Sequence, residues 1–233
     1  MEETKTENKY KITMEEMIQV GLGYGHEKSK LNPKMKDYVL KQKDKVFIID
    51  LDKTAEKLEQ ALDFVSQLRK EGKIVLFVGT KVAMRDLVKK TAEESKSPYV
   101  VDRWIGGTFT NFKELRKRIE YFKDLEAKTK EIEFEKKYVK KERIKMMKEI
   151  ERLKIKFDGI KNMEQLPSAI FIVDVEEDKI ALKEAIQSKV PVIAIADTNV
   201  DPTKISFPIP GNDDAYTSVE YVLYKIQEAL KGE

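Results

Sequence analysis
The sequence predicts an α/β fold: a doubly wound parallel sheet interrupted by an antiparallel coiled-coil helical hairpin. Two patterns lead there. Continuous Val/Ile-rich runs alternate with helical stretches, whereas the interval 111–157 has no such run and is dominated by Lys, Glu and Arg. Unbroken apolar runs imply strands buried on both faces, and strand–helix alternation implies parallel order with right-handed crossovers.

Residues 1–12 make a polar start, expected to be flexible. Met14, Met17, Ile18 and Leu22 then fall at helical spacing behind Thr13, an N-cap residue, and the helix should end at Gly21 or Gly23. Val46 to Asp50 reads as a strand, followed by Thr54 as cap and a helix through Leu58, Ala61, Leu62, Val65 and Leu68 that closes at Gly72. The unit repeats at Ile74 to Val78 with a helix through Val82, Ala83, Leu87 and Val88. It returns at Ala169 to Asp174 with a helix near Ile180 to Ser188, and again at Val190 to Asp197. Between these units, Phe112, Leu115, Ile119, Phe122 and Leu125, then Ile144, Met147, Ile150, Leu153 and Phe157, step by three or four. Two helices with narrow apolar seams should pair and turn between Thr129 and Tyr138. The α/β domain then comprises 13–110 and 158–233, with 111–157 inserted as an arm.

Charge is distributed unevenly. The chain has 233 residues and a formal net charge of only +3. Phe112 to Phe157 holds 17 basic and 10 acidic residues, a net of +7, which leaves −4 for the rest. Lys136 to Lys156 alone has ten basic residues against three acidic ones, too few to balance a solvated helix by i,i+4 pairing. A second stretch, His26 to Lys45, has seven lysines against Glu27, Asp37 and Asp44, and Ile172 to Glu233 is acidic, with 12 acids and six lysines. Phosphate neutralisation is the natural use of the basic segments, a solvated face the plainer one. No cysteine is present, which excludes disulfides, thiolate metal sites and cysteine nucleophiles. No apolar run approaches the ~20 residues that span a bilayer, and the first dozen residues lack the pattern of a signal or transit peptide, so the cytoplasm is the expected address.

Several motifs admit a chemical reading beside a structural one. Gly21, Gly23 and Gly25 are spaced G-x-G-x-G behind a helix rather than a strand, which favours a tight loop over a dinucleotide site. Gly79-Thr80-Lys81 sits where a phosphate-binding turn would lie but lacks the P-loop frame, so a strand-to-helix turn is the better account. His26 is the sole histidine, which disfavours a Ser-His-Asp triad and leaves a hydrogen-bonded or RNA-facing role. Asp197, Asp201, Asp213 and Asp214 could ligate a hard cation such as Mg²⁺, although the surrounding Pro202, Pro208, Pro210 and Gly211 favour turn chemistry. Trp104 belongs in a core, while its neighbour Arg103 is suited to RNA.

These residues also carry a resemblance. Gly25-His26, Asn32-Pro33-Lys34-Met35-Lys36, Phe47-Ile48-Ile49-Asp50-Leu51, Phe77-Val78-Gly79-Thr80-Lys81 and Arg103 to Phe112 occur in the order of the bacterial small-subunit ribosomal protein 2 family. So do Lys140-Lys141-Glu142, Gly159-Ile160-Lys161, Leu166-Pro167, Asp197-Thr198-Asn199 and Ile209 to Ala215, so that the resemblance spans about Met14 to Leu230. It implies a Rossmann-like domain with an inserted coiled-coil hairpin, bound to small-subunit rRNA and to other small-subunit proteins, among them the large mRNA-holding protein of bacteria. It implies no catalysis, cofactor, membrane or small-molecule substrate, and the hairpin favours the bacterial or organellar branch. Two positions depart from the pattern: Gly23 stands where the family often has a second histidine, and Asp102 precedes Arg103 where an uncharged amide is expected.

The residues expected to hold rRNA are His26, Lys28, Lys30, Lys34, Lys36, Lys81, Arg103, Lys136, Lys137, Lys140, Lys141, Arg143, Lys145 and Lys148. The rival reading is an enzyme binding a nucleotide or sugar phosphate around Gly79, Thr80, Lys81 and Asp197. A second rival is a coiled-coil module that binds protein.

Overall fold
The computed structural model describes residues 9–131 and 134–232. Of the polar start, residues 1–8 lie outside the described residues, while 9–12 are held. Lys9 and Tyr10 both reach Asp63 at 2.7 Å, and Lys225 Nζ donates to the Tyr10 and Lys11 carbonyls at 3.1 Å. Helix α1 (Met14–Gln19) is capped by Thr13, whose hydroxyl accepts from Glu16 N–H, and ends before Gly21, which takes φ +76°.

Next come β1 (Tyr24–Glu27), β2 (Val39–Lys43) and β3 (Val46–Ile49), which form their own antiparallel sheet in the order β1-β3-β2. This corrects the expectation that the Val46 run joins the parallel sheet. Its burial alternates between half-buried Val46 and Ile48 and buried Phe47 and Ile49, the mark of a strand covered on one face. A two-residue loop, Asp44-Lys45, joins β2 to β3, with Asp44 at φ +54°. The lysine-rich stretch His26 to Lys45 is therefore mostly hairpin and short 3₁₀ turns.

Helix α2 (Leu51–Lys70) is capped by Asp50, not by Thr54 as the sequence suggested, because the Asp50 carboxylate accepts from the N–H groups of Asp52 and Lys53. Thr54 lies one turn in and fully buried, and its hydroxyl donates to the Pro210 carbonyl at 2.7 Å. The chain continues through β4 (Val75–Val78), α3 (Arg85–Glu94), β5 (Tyr99–Val100), α4 (Phe112–Thr129), α5 (Phe134–Lys137) and α6 (Lys140–Phe157). It ends with β6 (Ala169–Ile172), α7 (Lys179–Gln187), β7 (Val192–Ala196), β8 (Phe207–Pro210) and α8 (Tyr216–Lys231).

The last five strands form one parallel sheet in the order β5-β4-β6-β7-β8. Counted along the chain this is 2-1-3-4-5, one of the two common doubly wound orders. Alternate residues serve two cores. Val75, Phe77, Phe171, Ile193 and Ile195 pack with α2, α3 and α8, while Leu76, Val78, Ile170, Ile172 and Ala194 pack with α4, α6 and α7. That double burial is why the strands read as unbroken apolar runs. Strand β8 carries Pro208 and Pro210, which an edge strand tolerates because one side of its backbone needs no ladder partner.

Helices α4 and α6 lie antiparallel: Leu115 and Asn111 share a cleft with Leu153 and Phe157, and Thr129 shares another with Lys140 and Ile144. Their bases enter the second core through Leu115, Ile119, Phe122, Leu153 and Phe157. The expected seam on the second helix is only partly buried, since Ile144 and Met147 are about half exposed. The chain then turns at Gly159, where a Cβ would stand 2.2 Å from the Tyr99 carbonyl oxygen, so only glycine lets the exit from α6 lie against β5.

Thr54→Val removes the hydroxyl that ties α2 to β8. It should lower the urea-derived unfolding free energy by about 1–3 kcal/mol, the cost of a buried carbonyl left unpaired. An unchanged midpoint would show that α2 and β8 are held by apolar packing alone.

Candidate nucleic-acid interface
The folded chain sorts the predicted basic residues into two groups. Lys28, Lys30, Lys36 and Arg103 are exposed, as are Lys136, Lys137, Lys140, Lys141, Lys145 and Lys148. Lys137 pairs with Glu131 at 3.0 Å, and Arg143 is half-buried. Lys34 and Lys81 differ, because their charge is already matched. Lys34 Nζ lies 2.9 Å from Asp201 and 3.1 Å from the Thr203 hydroxyl. Lys81 bridges Asp174, at 3.2 Å, and Asp214. Burial disfavours the Lys81 ammonium, but the two carboxylates outweigh it and push its pKa up to about 12.

The Arg103 segment owes its shape to Glu184, a residue that no sequence motif singles out. Glu184 projects from α7, is buried, and accepts from Gly107 N–H at 2.7 Å, Phe109 N–H at 3.0 Å and Trp104 Nε1 at 3.3 Å. Trp104 is buried with its ring edge-on to Phe109, which leaves Arg103 facing solvent. Asp102 does not set a negative charge beside that arginine unopposed, because Arg85 Nη1 lies 3.1 Å from its carboxylate and Arg85 Nη2 donates to its carbonyl.

The crevice where a doubly wound sheet would hold a phosphate lies beyond β4 and β6 and is lined by Thr80, Lys81, Arg85, Trp104 and Asp178. Here the protein turns its own carboxylate onto the donors of the turn. Thr80 N–H and hydroxyl both donate to Asp178, at 3.1 and 2.9 Å. Desolvation outweighs those two bonds and pushes Asp178 up to about 6. The backbone donor that would receive an anion is occupied, and further acids stand next to it.

Beside this crevice His26 is seated between Asp197 and Asp214, with Nδ1 2.9 Å from Asp197 Oδ2 and Nε2 3.4 Å from Asp214 Oδ2. The Asp197 contact raises its pKa above the usual histidine range. His26 N–H donates to the Thr198 hydroxyl at 2.9 Å, and a Cβ at Gly25 would approach Thr198 Cγ2 to 2.5 Å, so β1 lies directly on the end of β7. Asp213 joins this group and is pushed up to about 8, by burial first and then by Asp174 and Asp197. Asp201 does not join it. Its carboxylate caps a 3₁₀ turn through Thr203, and with Lys34 this lowers its pKa to about 2.

Two tests follow from this geometry. Glu184→Ala strips the acceptor from five donors at once, those named above and the Thr110 N–H and hydroxyl, and should cost about 3 kcal/mol or more of stability, with the fluorescence of Trp104, the sole tryptophan, shifting as its ring loses its anchor. An unshifted emission spectrum in the folded variant would mean that apolar packing alone fixes the loop. The folded pKa of Asp178 lies above the unfolded value of 3.8, so its stabilising contribution is full below about 4 and lost as pH rises through about 6. Against Asp178→Asn, the wild type should therefore lose about 1 kcal/mol between pH 5 and 7.5 in urea unfolding. A pH-independent difference would refute the burial argument.

A family model described as ribosomal protein S2 matches residues 17–232. Small ribosomal subunit protein uS2 of Dictyoglomus thermophilum is 41% identical over 219 residues, covering 94% of this chain and 89% of the relative. The protein of the same name from Coprothermobacter proteolyticus is 40% identical over 219 residues, covering 94% and 81%. These likenesses do not support the enzyme reading. A match across almost the whole chain and two relatives at this identity place the chain in the ribosomal protein S2 family, a family of ribosomal proteins rather than enzymes.

Proposed function
We propose that the chain is a structural protein of the small ribosomal subunit that holds rRNA phosphates with two basic surfaces while its α/β body packs against neighbouring proteins. One surface is the N-terminal sheet with Lys28, Lys30 and Lys36. The other is the helix pair, read as a coiled-coil arm inserted at 111–157 between the two halves of the α/β domain. The observation that carries this reading is the exposed cationic side of α6. Lys140, Lys141, Lys145 and Lys148 are all exposed and have no ion pair among the described residues. A solvated helix would pair such charges with its own acids. Phosphate contacts of this kind position a protein on RNA shape without reading sequence. Lys81 and Lys34, each tied to an aspartate, contribute to the body and not to the RNA surface. Among protein partners, the large mRNA-holding protein of the bacterial small subunit fits the acidic C-terminal part through charge, and the half-exposed Ile144 and Met147 offer apolar contact on the arm.

The test is binding of the full chain to small-subunit rRNA across a salt series. Changing Lys140, Lys141, Lys145 and Lys148 to glutamate should weaken binding and flatten the log–log salt dependence by about one unit per lost phosphate contact. An unchanged slope would remove the arm from the RNA interface. Retention of the charge-reversed protein in assembled small subunits would point to protein contacts as its main anchor.

A further inference from the structure
The geometry points to a divalent-cation site at the C-terminal edge of the parallel sheet, with His26, Asp213 and Asp214 as ligands and Asp197 orienting the imidazole. Ligand atoms of the first three all lie within 4.8 Å of one another. An acidic cluster alone would carry nothing, since Lys81 or a turn can account for carboxylates. The independent observation is Asp213. It is 1% exposed, and neither of its carboxylate oxygens has a hydrogen-bond partner. A buried carboxylate without donors is expensive, and the fold supplies donors to every carboxylate around it. Asp197 accepts from Thr198, Asp174 accepts from the N–H groups of Glu176 and Glu177, and Asp214 is bridged by Lys81.

The remaining contacts match what a metal-binding histidine needs. Such a histidine turns one ring nitrogen to the metal and the other to a carboxylate, which fixes its orientation. Here Nδ1 stands 2.9 Å from Asp197 Oδ2, while Nε2 faces Asp214 Oδ2 at 3.4 Å. Asp214 can serve both cations, since its Oδ1 meets Lys81 and its Oδ2 faces the imidazole. One imidazole and two carboxylates favour a borderline ion such as Zn²⁺ over Mg²⁺, which prefers six oxygens. Bound there, the ion would join β1, which carries His26, to the β8–α8 turn, which carries both aspartates.

The experiment titrates chelator-stripped full-length protein with ZnCl₂ in a calorimeter and follows the melting temperature. One ion per chain should bind and raise the melting temperature. Asp213→Asn should weaken binding at least about tenfold, and Asp201→Asn, whose carboxylate caps a separate turn, should leave it unchanged. Co²⁺ loaded into the wild type should give a visible absorption band that His26→Gln alters or removes. If Asp213→Asn does not fold, His26→Gln carries the affinity comparison. Absence of stoichiometric Zn²⁺ binding, equal affinity in the folded variants, or an equal loss in Asp201→Asn would overturn the site.

Discussion
The seating of β1 on the end of β7 is the contact on which the functional architecture depends. Gly25 has no side chain to keep the strands apart, the Thr198 hydroxyl accepts the His26 N–H, and the Thr198 carbonyl accepts from Asn32. This one junction fixes a small lysine-rich sheet against the C-terminal edge of a large apolar one. It also brings His26 into the acids that follow β7 and β8. Without it, the basic segment would have no fixed direction relative to the large sheet.

Electrostatics divides the molecule into two parts with different roles. Along the sheet's C-terminal edge, the lysines that could meet an anion are held by aspartates: Lys81 by Asp174 and Asp214, Lys34 by Asp201. On α6 the lysines stand in solvent. Doubly wound folds commonly bind ligands where the strand order reverses, and here Asp178 takes the Thr80 donors at that place. Fold and function are separable in such folds, and here the donors of the crevice are taken by a protein carboxylate while the unpaired positive charge lies elsewhere.

How far the sequence could be read depends on whether local pattern or long-range contact decides each feature. β4, β6 and β7 were legible because burial on both faces leaves unbroken apolar runs. β8 was not, since Pro208 and Pro210 mask it, and the Val46 run resembled the others although lysine-rich neighbours place it in a different sheet. The helix pair showed in its three–four spacing, yet spacing alone could not show that Ile144 and Met147 stay half exposed. Within the site, sequence grouped Asp201 with Asp197, Asp213 and Asp214 because they are near one another along the chain; folding separates them by giving Asp201 a turn to cap. Glu184 left no local signal, since a single acid in an amphipathic helix looks solvated until the backbone it serves is in place.

The junction between β1 and β7 also imposes an order on biosynthesis. His26 bonds to a residue 172 positions later, and β4 pairs with β6 across the whole helix pair. Contacts this distant form late, after much loop-closure entropy has been overcome. During vectorial synthesis the N-terminal basic segment therefore emerges long before its platform exists. It stays an undocked polycation close to the RNA of the ribosome that is making it until roughly the last fifth of the chain has been added.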